Sequence, residues 1–482
     1  MNEDYIYKKT HPYAILTHMK LYVIFIVLSV LQQIFLKPQG IIEIIGSLGI
    51  NALYVFSILF YTIYLYRGFT YRIDERGISV KSSVLIKKYF TLPYDKIQTV
   101  TIRRDIISAI FGAVKISADT AAGSGKKYDA EGFFSKKRAK NMLNIISKNN
   151  EEKNIYRSNI VNIILMSVFR SNPITGLLFI IPVIYQTGKI IGSEMTERIV
   201  KGSLDIRNSL FTVYFSPAVS ALIAVIMMCW MLSVLVFFLR YARFRSCRIG
   251  DFIKASRGIL NKSIIFTKIS GISAITIDRT FLMSILGIYS SGFYVIGSEK
   301  LKGDKSILIA PEKEDKIKNN IFLLTDINTD EIRSVYTEKN TLWSYIYLPL
   351  FLIMMSTSLI AVDFMFGKAG EILRVAMILC IILFIWWTVF RIFAHKNSHI
   401  GLCNNSFSIC CYKRLTLKKY IIPYDKIQYI GMTQNIFQRR KGTCNIKVYM
   451  YSEKKSVHIA RHINKSAAEK LLSDVIRLEY KM

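Results

Sequence analysis

Pro93-Tyr94-Asp95-Lys96-Ile97-Gln98 returns unchanged as Pro423-Tyr424-Asp425-Lys426-Ile427-Gln428, a displacement of 423 − 93 = 330 residues. At the same displacement Phe90 meets a second aromatic, Tyr420, and Gly112 meets Gly442. Self-similarity over such a distance marks a chain assembled from repeated units. A displacement of 272 − 97 = 175 brings Ile97 onto Ile272, Val100 onto Ile275, Phe111 onto Leu286 and Gly112 onto Gly287. The middle of the chain thus reads as a diverged copy that lacks Pro-Tyr-Asp.

The residues around each motif alternate as strands do. Tyr71–Val80 alternates across a turn signal at Glu75-Arg76-Gly77, Lys87–Leu92 runs up to Pro93, and Ile97–Arg103 and Ala113–Ala118 alternate again. Ser135–Ile146 has helical spacing, with Ala139, Met142, Leu143 and Ile146 on one face. In the last copy Phe407–Tyr412, Leu415–Ile422, Asn445–Tyr451 and Ser456–Ala460 read as strands and Ser466–Leu478 as a closing helix. Proline fixes φ and donates no hydrogen bond, so Pro93 and Pro423 suit strand ends. Tyr94, Ile97, Tyr424 and Ile427 then pack inward, as does Ile272. Gly112, Gly287 and Gly442 are expected where the backbone needs an unusual φ.

Between these β-rich segments the composition changes. The 482 residues are 52% hydrophobic yet carry 65 Lys and Arg against 33 Asp and Glu, a formal charge of +32. Apolar spans joined by basic water-facing segments satisfy both facts. The apolar runs are Leu21–Leu36, Ile50–Tyr66, Ile174–Ile191, Ala218–Leu239, Leu342–Val362 and Ile372–Phe390. Each approaches the roughly 17–25 residues that cross a bilayer, and Ile160–Phe169 is short enough to lie at the interface. The expected plan is a tail and helix pair over 1–67, a β-rich domain over 68–150, a linker and second pair over 151–240, a diverged domain over 241–340, a third pair over 341–393 and a last domain over 394–482. Lys8, Lys9, Lys20, Arg67, Arg72, Arg170, Arg240, Arg243, Arg391 and Lys396 all flank spans on one side, which the positive-inside rule makes cytoplasmic. Met1–Lys20 has no cleavable signal pattern. The seven cysteines make no Cys-x-x-Cys pair, so reduced thiols are expected.

The hairpin with Gly77, the strand ending in Leu-Pro-Tyr-Asp-Lys-Ile-Gln, the Phe111-Gly112 after it and the small residues of Ser117–Ala122 together resemble the bacterial pleckstrin-homology-like (PH-like) domain of the YdbS/YdbT type. Three such segments, each behind a helix pair, look like a YdbT-type membrane protein. The resemblance implies a multi-pass α-helical membrane protein with three cytoplasmic α+β PH-like β-barrel domains, each capped by a C-terminal helix. It implies no catalytic activity and no cofactor.

The chemistry-bearing residues agree. His458 and His462 are four apart but without the Glu of a zinc helix, and read as surface histidines. Gly123-Ser-Gly-Lys-Lys127 lacks the spacing of a phosphate loop. A transporter requires ionisable groups inside its spans, and the strongest spans hold none; an enzyme requires a convergent His/Asp/Glu/Ser cluster, and none is apparent. Nucleic acid is not an expected partner, because basic loops belong to membrane proteins anyway. The basic clusters Arg103-Arg104, Lys126-Lys127, Lys413-Arg414 and Arg439-Arg440-Lys441 are the candidate contacts to membrane lipids, to another membrane protein or to a second copy. An interaction or assembly role is expected, within envelope maintenance or stress by class. An exposed β-edge on each domain is a further expected docking point.

Overall fold

The computed structural model describes residues 7–17, 19, 41–74, 77–83, 87–120, 130–146, 150–171, 217–295, 306–366, 371–413, 415–451 and 457–479. The apolar runs 21–36 and 174–191, the basic pair Lys126-Lys127, and Arg414 lie outside them.

One order of elements recurs three times. The first unit has β1 (Lys8–Lys9), helix α1 (Ile41–Gly68), β2 (Phe69–Ile73), β3 (Gly77–Ser83), β4 (Lys87–Pro93), a 3-10 turn at Tyr94–Lys96, β5 (Ile97–Arg104), the short α2 (Ile106–Ile110), β6 (Ala113–Thr120), β7 (Ala130–Ser135) and α3 (Lys136–Ile146). The second has β8 (Glu152–Arg157), α4 (Ile160–Arg170), α5 (Pro217–Tyr241), β9 (Arg245–Ile249), β10 (Phe252–Arg257), β11 (Lys262–Lys268), a turn at Ile269–Gly271, β12 (Ile272–Thr280), the short α6 (Phe281–Ile285), β13 (Ile288–Val295), β14 (Ser306–Lys313) and α7 (Glu314–Thr325). The third has β15 (Arg333–Tyr336), α8 (Trp343–Phe366), α9 (Glu371–Asn397), β16 (His399–Leu402), β17 (Ser406–Lys413), β18 (Thr416–Pro423), a turn at Tyr424–Lys426, β19 (Ile427–Thr433), the short α10 (Ile436–Arg440), β20 (Thr443–Met450), β21 (Val457–Asn464) and α11 (Lys465–Glu479).

The Pro-Tyr-Asp motif is the hinge of the first and third units. Pro93 ends β4 with extended backbone (φ −63°, ψ 141°), the next three residues make one 3-10 turn, and Ile97 starts a strand in a new sheet. Pro423 does the same. Lacking an N–H, proline ends the ladder at no cost to it. Ile97 and Ile272 are buried at the start of that second sheet. After the short helix of each unit the chain reverses on a left-handed residue, Gly112 (φ 66°), Gly287 (φ 64°) or Gly442 (φ 62°), the conformation glycine adopts without penalty.

The sheets do not stop at unit boundaries. β4 and β5, adjacent in sequence, belong to different sheets. The four sheets run β1-β2-β3-β4, β7-β6-β5-β11-β10-β9-β8, β14-β13-β12-β18-β17-β16-β15 and β19-β20-β21. The second half of one unit therefore continues, strand against strand, into the first half of the next through the antiparallel pairs β5·β11 and β12·β18. The cores continue with them. Phe266 of the second unit packs among Ile97, Val100 and Phe134 of the first, Ile421 of the third packs among Ile275 and Leu308 of the second, and Ala274 enters the core of the third. Each fully buried Ile or Phe stabilises by about 1.5–3 kcal/mol relative to exposure. The β-edge expected on each unit does not lie at β5, β11, β12 or β18, which are sealed; β7, β8, β14 and β15 are the end strands of these two sheets.

Glu152–Lys153, read as part of a charged linker, begins strand β8, which pairs with β9. In the same way β1 pairs with β2 and β15 with β16. Each unit thus closes with a strand that precedes its helices. Lys339–Met365 and Met377–Asn397 are long and apolar enough to cross a membrane; Ala52–Gly68, Ile160–Arg170 and Val225–Tyr241 are shorter apolar stretches.

Candidate functional site

Three features converge where the units meet the helices: charged seams, apolar tips and basic flanks. The seam between the second and third units is the most highly charged. Asp278 of β12, buried, accepts from Arg170 at the end of α4 and from Lys418 of β18, each at 3.0 Å. Lys418 is itself buried, so its charge needs that carboxylate. On another side of the seam a cavity of about 440 Å³ is lined by Arg279, Glu314, Lys318, Glu331, His399 and Lys419, among others. Glu331 accepts from His399 Nε2 (3.0 Å), Ser408 Oγ (2.6 Å) and Lys419 Nζ (2.9 Å). Burial opposes ionisation of Glu331, but His399, Lys419 and Ser408 outweigh it and pull the carboxyl down to about 2. Lys318 is paired with Glu314 and Asp330, both at 3.3 Å, and Arg279 bonds Asn397 and Tyr289. Each cation of the cavity is answered within the chain, which makes this a cross-brace between units.

His458 and His462 lie in β21, not on a surface turn. His458 is buried and stacks on Tyr420 with centroids 3.7 Å apart. Burial first, then the charges of Lys413 and Lys418, push its pKa down to about 3, so the ring is neutral. The surface-histidine reading is corrected for His458: the strand alternation that buries Ala460 buries it too. Among the described residues no cluster of three His, Cys, Asp or Glu side chains is placed to hold a metal.

The short helices are the second feature. Ile106, Ile107 and Ile110 on α2 with Phe111 just after it, Leu282 and Ile285 on α6 with Leu286 just after it, and Ile436 and Phe437 on α10 all project outward. Ile110 is 77% exposed, Ile285 66% and Phe437 75%. These are the largest recurrent apolar exposures outside the long helices. Each tip sits at the root of a helix. Phe111 meets Tyr13 (5.7 Å), in the helical stretch 13–17. Phe281 packs edge-on against Trp386 (5.2 Å) and Phe393 (5.6 Å) near the end of α9. Lys441 Nζ donates to the carbonyl of Asn340, just before α8 (3.3 Å). The third tip is held by a capping box in which Gln438 N–H donates to Asn435 Oδ1 (2.7 Å) and Asn435 N–H to Gln438 Oε1 (3.1 Å).

The basic residues sort into different environments. Arg103 and Arg104 are half-buried at the end of β5, opposite Ser263 and Lys262 across the first seam, and Arg104 Nη2 donates to Ala109 O (3.3 Å). Arg439, Arg440 and Lys441 are exposed beside Phe437, and Lys413 is exposed at the end of β17. Lys418 and Lys419, close to Lys413 in sequence, are held in the seam by Asp278 and Glu331. Tyr94 is half-buried, and burial raises its hydroxyl to about 12; Tyr424 is buried with its hydroxyl donating to Cys403 O (3.3 Å). Both are packing groups. The apolar tips were missed in the sequence because four or five residues are too few to show helical periodicity.

A family model described as "Bacterial PH domain" matches residues 22–150 and 348–478, which contain the β-rich segments of the first and third units. The chain is also similar to the UPF0699 transmembrane protein YdbT of Bacillus subtilis (strain 168), 22% identical over 408 residues, covering 75% of this chain and 80% of that protein. With more than half of its length matched, the chain belongs to the Bacterial PH domain family.

Proposed function

We propose that the chain is a multi-pass membrane protein whose three repeated units are PH-like domains laid on the cytoplasmic membrane face, where they act as a non-catalytic interaction platform. The observation that carries this reading is the recurrence of an exposed apolar helix beside a helix root. Contiguous exposed apolar side chains are a liability in water and an anchor at the headgroup–acyl boundary. Arg439, Arg440 and Lys441 flank one tip, and each cation near an anionic leaflet contributes about 1 kcal/mol. Arg67, Arg240, Arg391 and Lys396 lie at helix ends that enter the sheets, which supports the cytoplasmic side. Internal neutralisation of the seam cavity supports a structural rather than a catalytic role for its charges.

The test is photolabelling of the full chain in nanodiscs that contain phosphatidylglycerol and a lipid with a diazirine at the top of its acyl chain. Adducts at 106–111, 282–286 and 436–437, in addition to the spans, are expected. Adducts in the spans alone would overturn the reading. Changing Arg439, Arg440 and Lys441 to Ala lowers retention of anionic lipid if the cluster meets headgroups. Unchanged lipid with loss of a co-purifying protein would assign the cluster to a protein contact instead.

A further inference from the structure

The two internal seams share one register. β5 against β11 sets Val100 opposite Phe266; β12 against β18 sets Ile275 opposite Ile421. Val100 and Ile275 are equivalent at a displacement of 175, and Phe266 and Ile421 at 421 − 266 = 155. The displacement from second unit to third is also 330 − 175 = 155, so the seams coincide pair for pair. The chain therefore joins unit to unit by a reusable rule.

That rule leaves one half-seam at each end. β4 is the counterpart of β11 and β18, and β19 the counterpart of β5 and β12. Among the described residues β4 pairs only with β3, and β19 only with β20. Burial records the difference at equivalent positions. Ile272–Asp278 of β12 are all buried, whereas no residue of Ile427–Thr433 in β19 is. Tyr89 is 60% exposed and Tyr429 54%. An unpaired strand edge is a template for another strand, and one carrying exposed aromatics more so.

We propose that β19 of one copy adds to β4 of a second copy in the register of the internal seams. Continuing the displacements places Ile430 opposite Thr91, Gly431 opposite Phe90 and Met432 opposite Tyr89. An aromatic facing a strand glycine covers backbone that the glycine leaves bare. Each copy presents one edge of each kind, so the contact is heterologous and yields a closed ring or an open row. Thr91 stands where Phe266 and Ile421 plug the preceding unit's core, so the seam between copies buries less apolar surface than the internal ones. The inference deepens the interaction reading by naming its partner, and rests on it for holding all copies on one membrane face.

The experiment uses the full chain in its own membranes on a Cys380→Ala background, the other native cysteines being buried. One tagged form carries Tyr89→Cys and a second, differently tagged form carries Met432→Cys. Mild oxidation is expected to give a disulfide-linked dimer carrying both tags, and a ladder when both substitutions share one chain. Tyr89→Cys with Thr433→Cys, whose side chain faces the other side of the strand, is expected to give almost none. Because a cysteine could disturb an edge, native mass spectrometry of the unsubstituted chain provides a second readout: multimers are expected, and Met432→Lys or Tyr89→Lys is expected to reduce them to monomers. Monomers throughout, an intramolecular disulfide, or adducts only to a different protein would overturn the proposal. Lipid adducts at the tips without crosslinks would sink this seam and leave the platform reading standing.

Discussion

Replacing Asp278 with alanine removes the carboxylate that two cations share at the seam of the second and third units. Arg170 can follow its charge outward, since its side chain keeps 20% of its exposure; Lys418, at 4%, cannot. Leaving one ion buried and unpaired costs about 3–5 kcal/mol. For a folding unit of 150–250 residues that corresponds to roughly 2–4 °C per kcal/mol, so a midpoint lower by about 10 °C is expected. The assay is thermal unfolding of the purified chain in detergent, monitored by calorimetry, with limited proteolysis to locate the opened seam. The control is Asp278→Leu with Lys418→Met, which removes both charges while keeping bulk. Exchanging a buried pair for apolar side chains is often neutral or stabilising, so the double variant should recover most of the midpoint. A single variant as stable as the parent, or a double variant no better than the single, would refute the claim that this ion cluster braces the seam.

Three other outcomes are expected from the geometry. His458 is neutral in the fold with its pKa near 3, whereas the unfolded chain takes up its proton below about 6.5. Stability should fall as pH drops from 6.5 toward 3, His458 contributing about 1.4 kcal/mol per unit. His458→Phe should make that slope shallower between pH 6.5 and 5 by its share, burial of His395 and His462 lowering their pKa values in the same direction. Glu331 adds a loss in the same direction only as pH falls from 4.5 through about 2. Gly442→Ala meets no atom within 4 Å but must adopt φ 62°, so a loss of about 1 kcal/mol from backbone strain is expected by denaturant titration. Ile436→Ser with Phe437→Ser should leave stability within about 0.5 kcal/mol while abolishing lipid adducts at that tip.

Much of this fold was legible because its signals are local. The doubled Pro-Tyr-Asp-Lys-Ile-Gln marked a strand end and a new strand, and Gly112, Gly287 and Gly442 marked positive φ. What the sequence could not show was pairing between units. β5, β12 and β19 occupy the same place after the same turn, yet two are sealed and one is open. The difference is set by strands more than a hundred residues further along the chain, β11 for β5 and β18 for β12. The same blindness affected charge. Lys413 and Lys418 look alike in a basic stretch, but the β17–β18 hairpin turn between them leaves Lys413 in solvent and carries Lys418 into a buried ion cluster. His458 was misread for a related reason: Tyr420, its stacking partner, comes from another strand of the same unit.

The seams impose a constraint on topology. Units joined by β5·β11 and β12·β18 must share one side of the membrane, whatever the number of crossings between them. The most direct measurement is labelling of single cysteines at the exposed positions Lys137, Lys262 and Lys465, one per unit, with a membrane-impermeant maleimide in intact cells and after permeabilisation. The account predicts that all three react only after permeabilisation. Labelling of any one of them in intact cells would contradict a continuous platform on the cytoplasmic face.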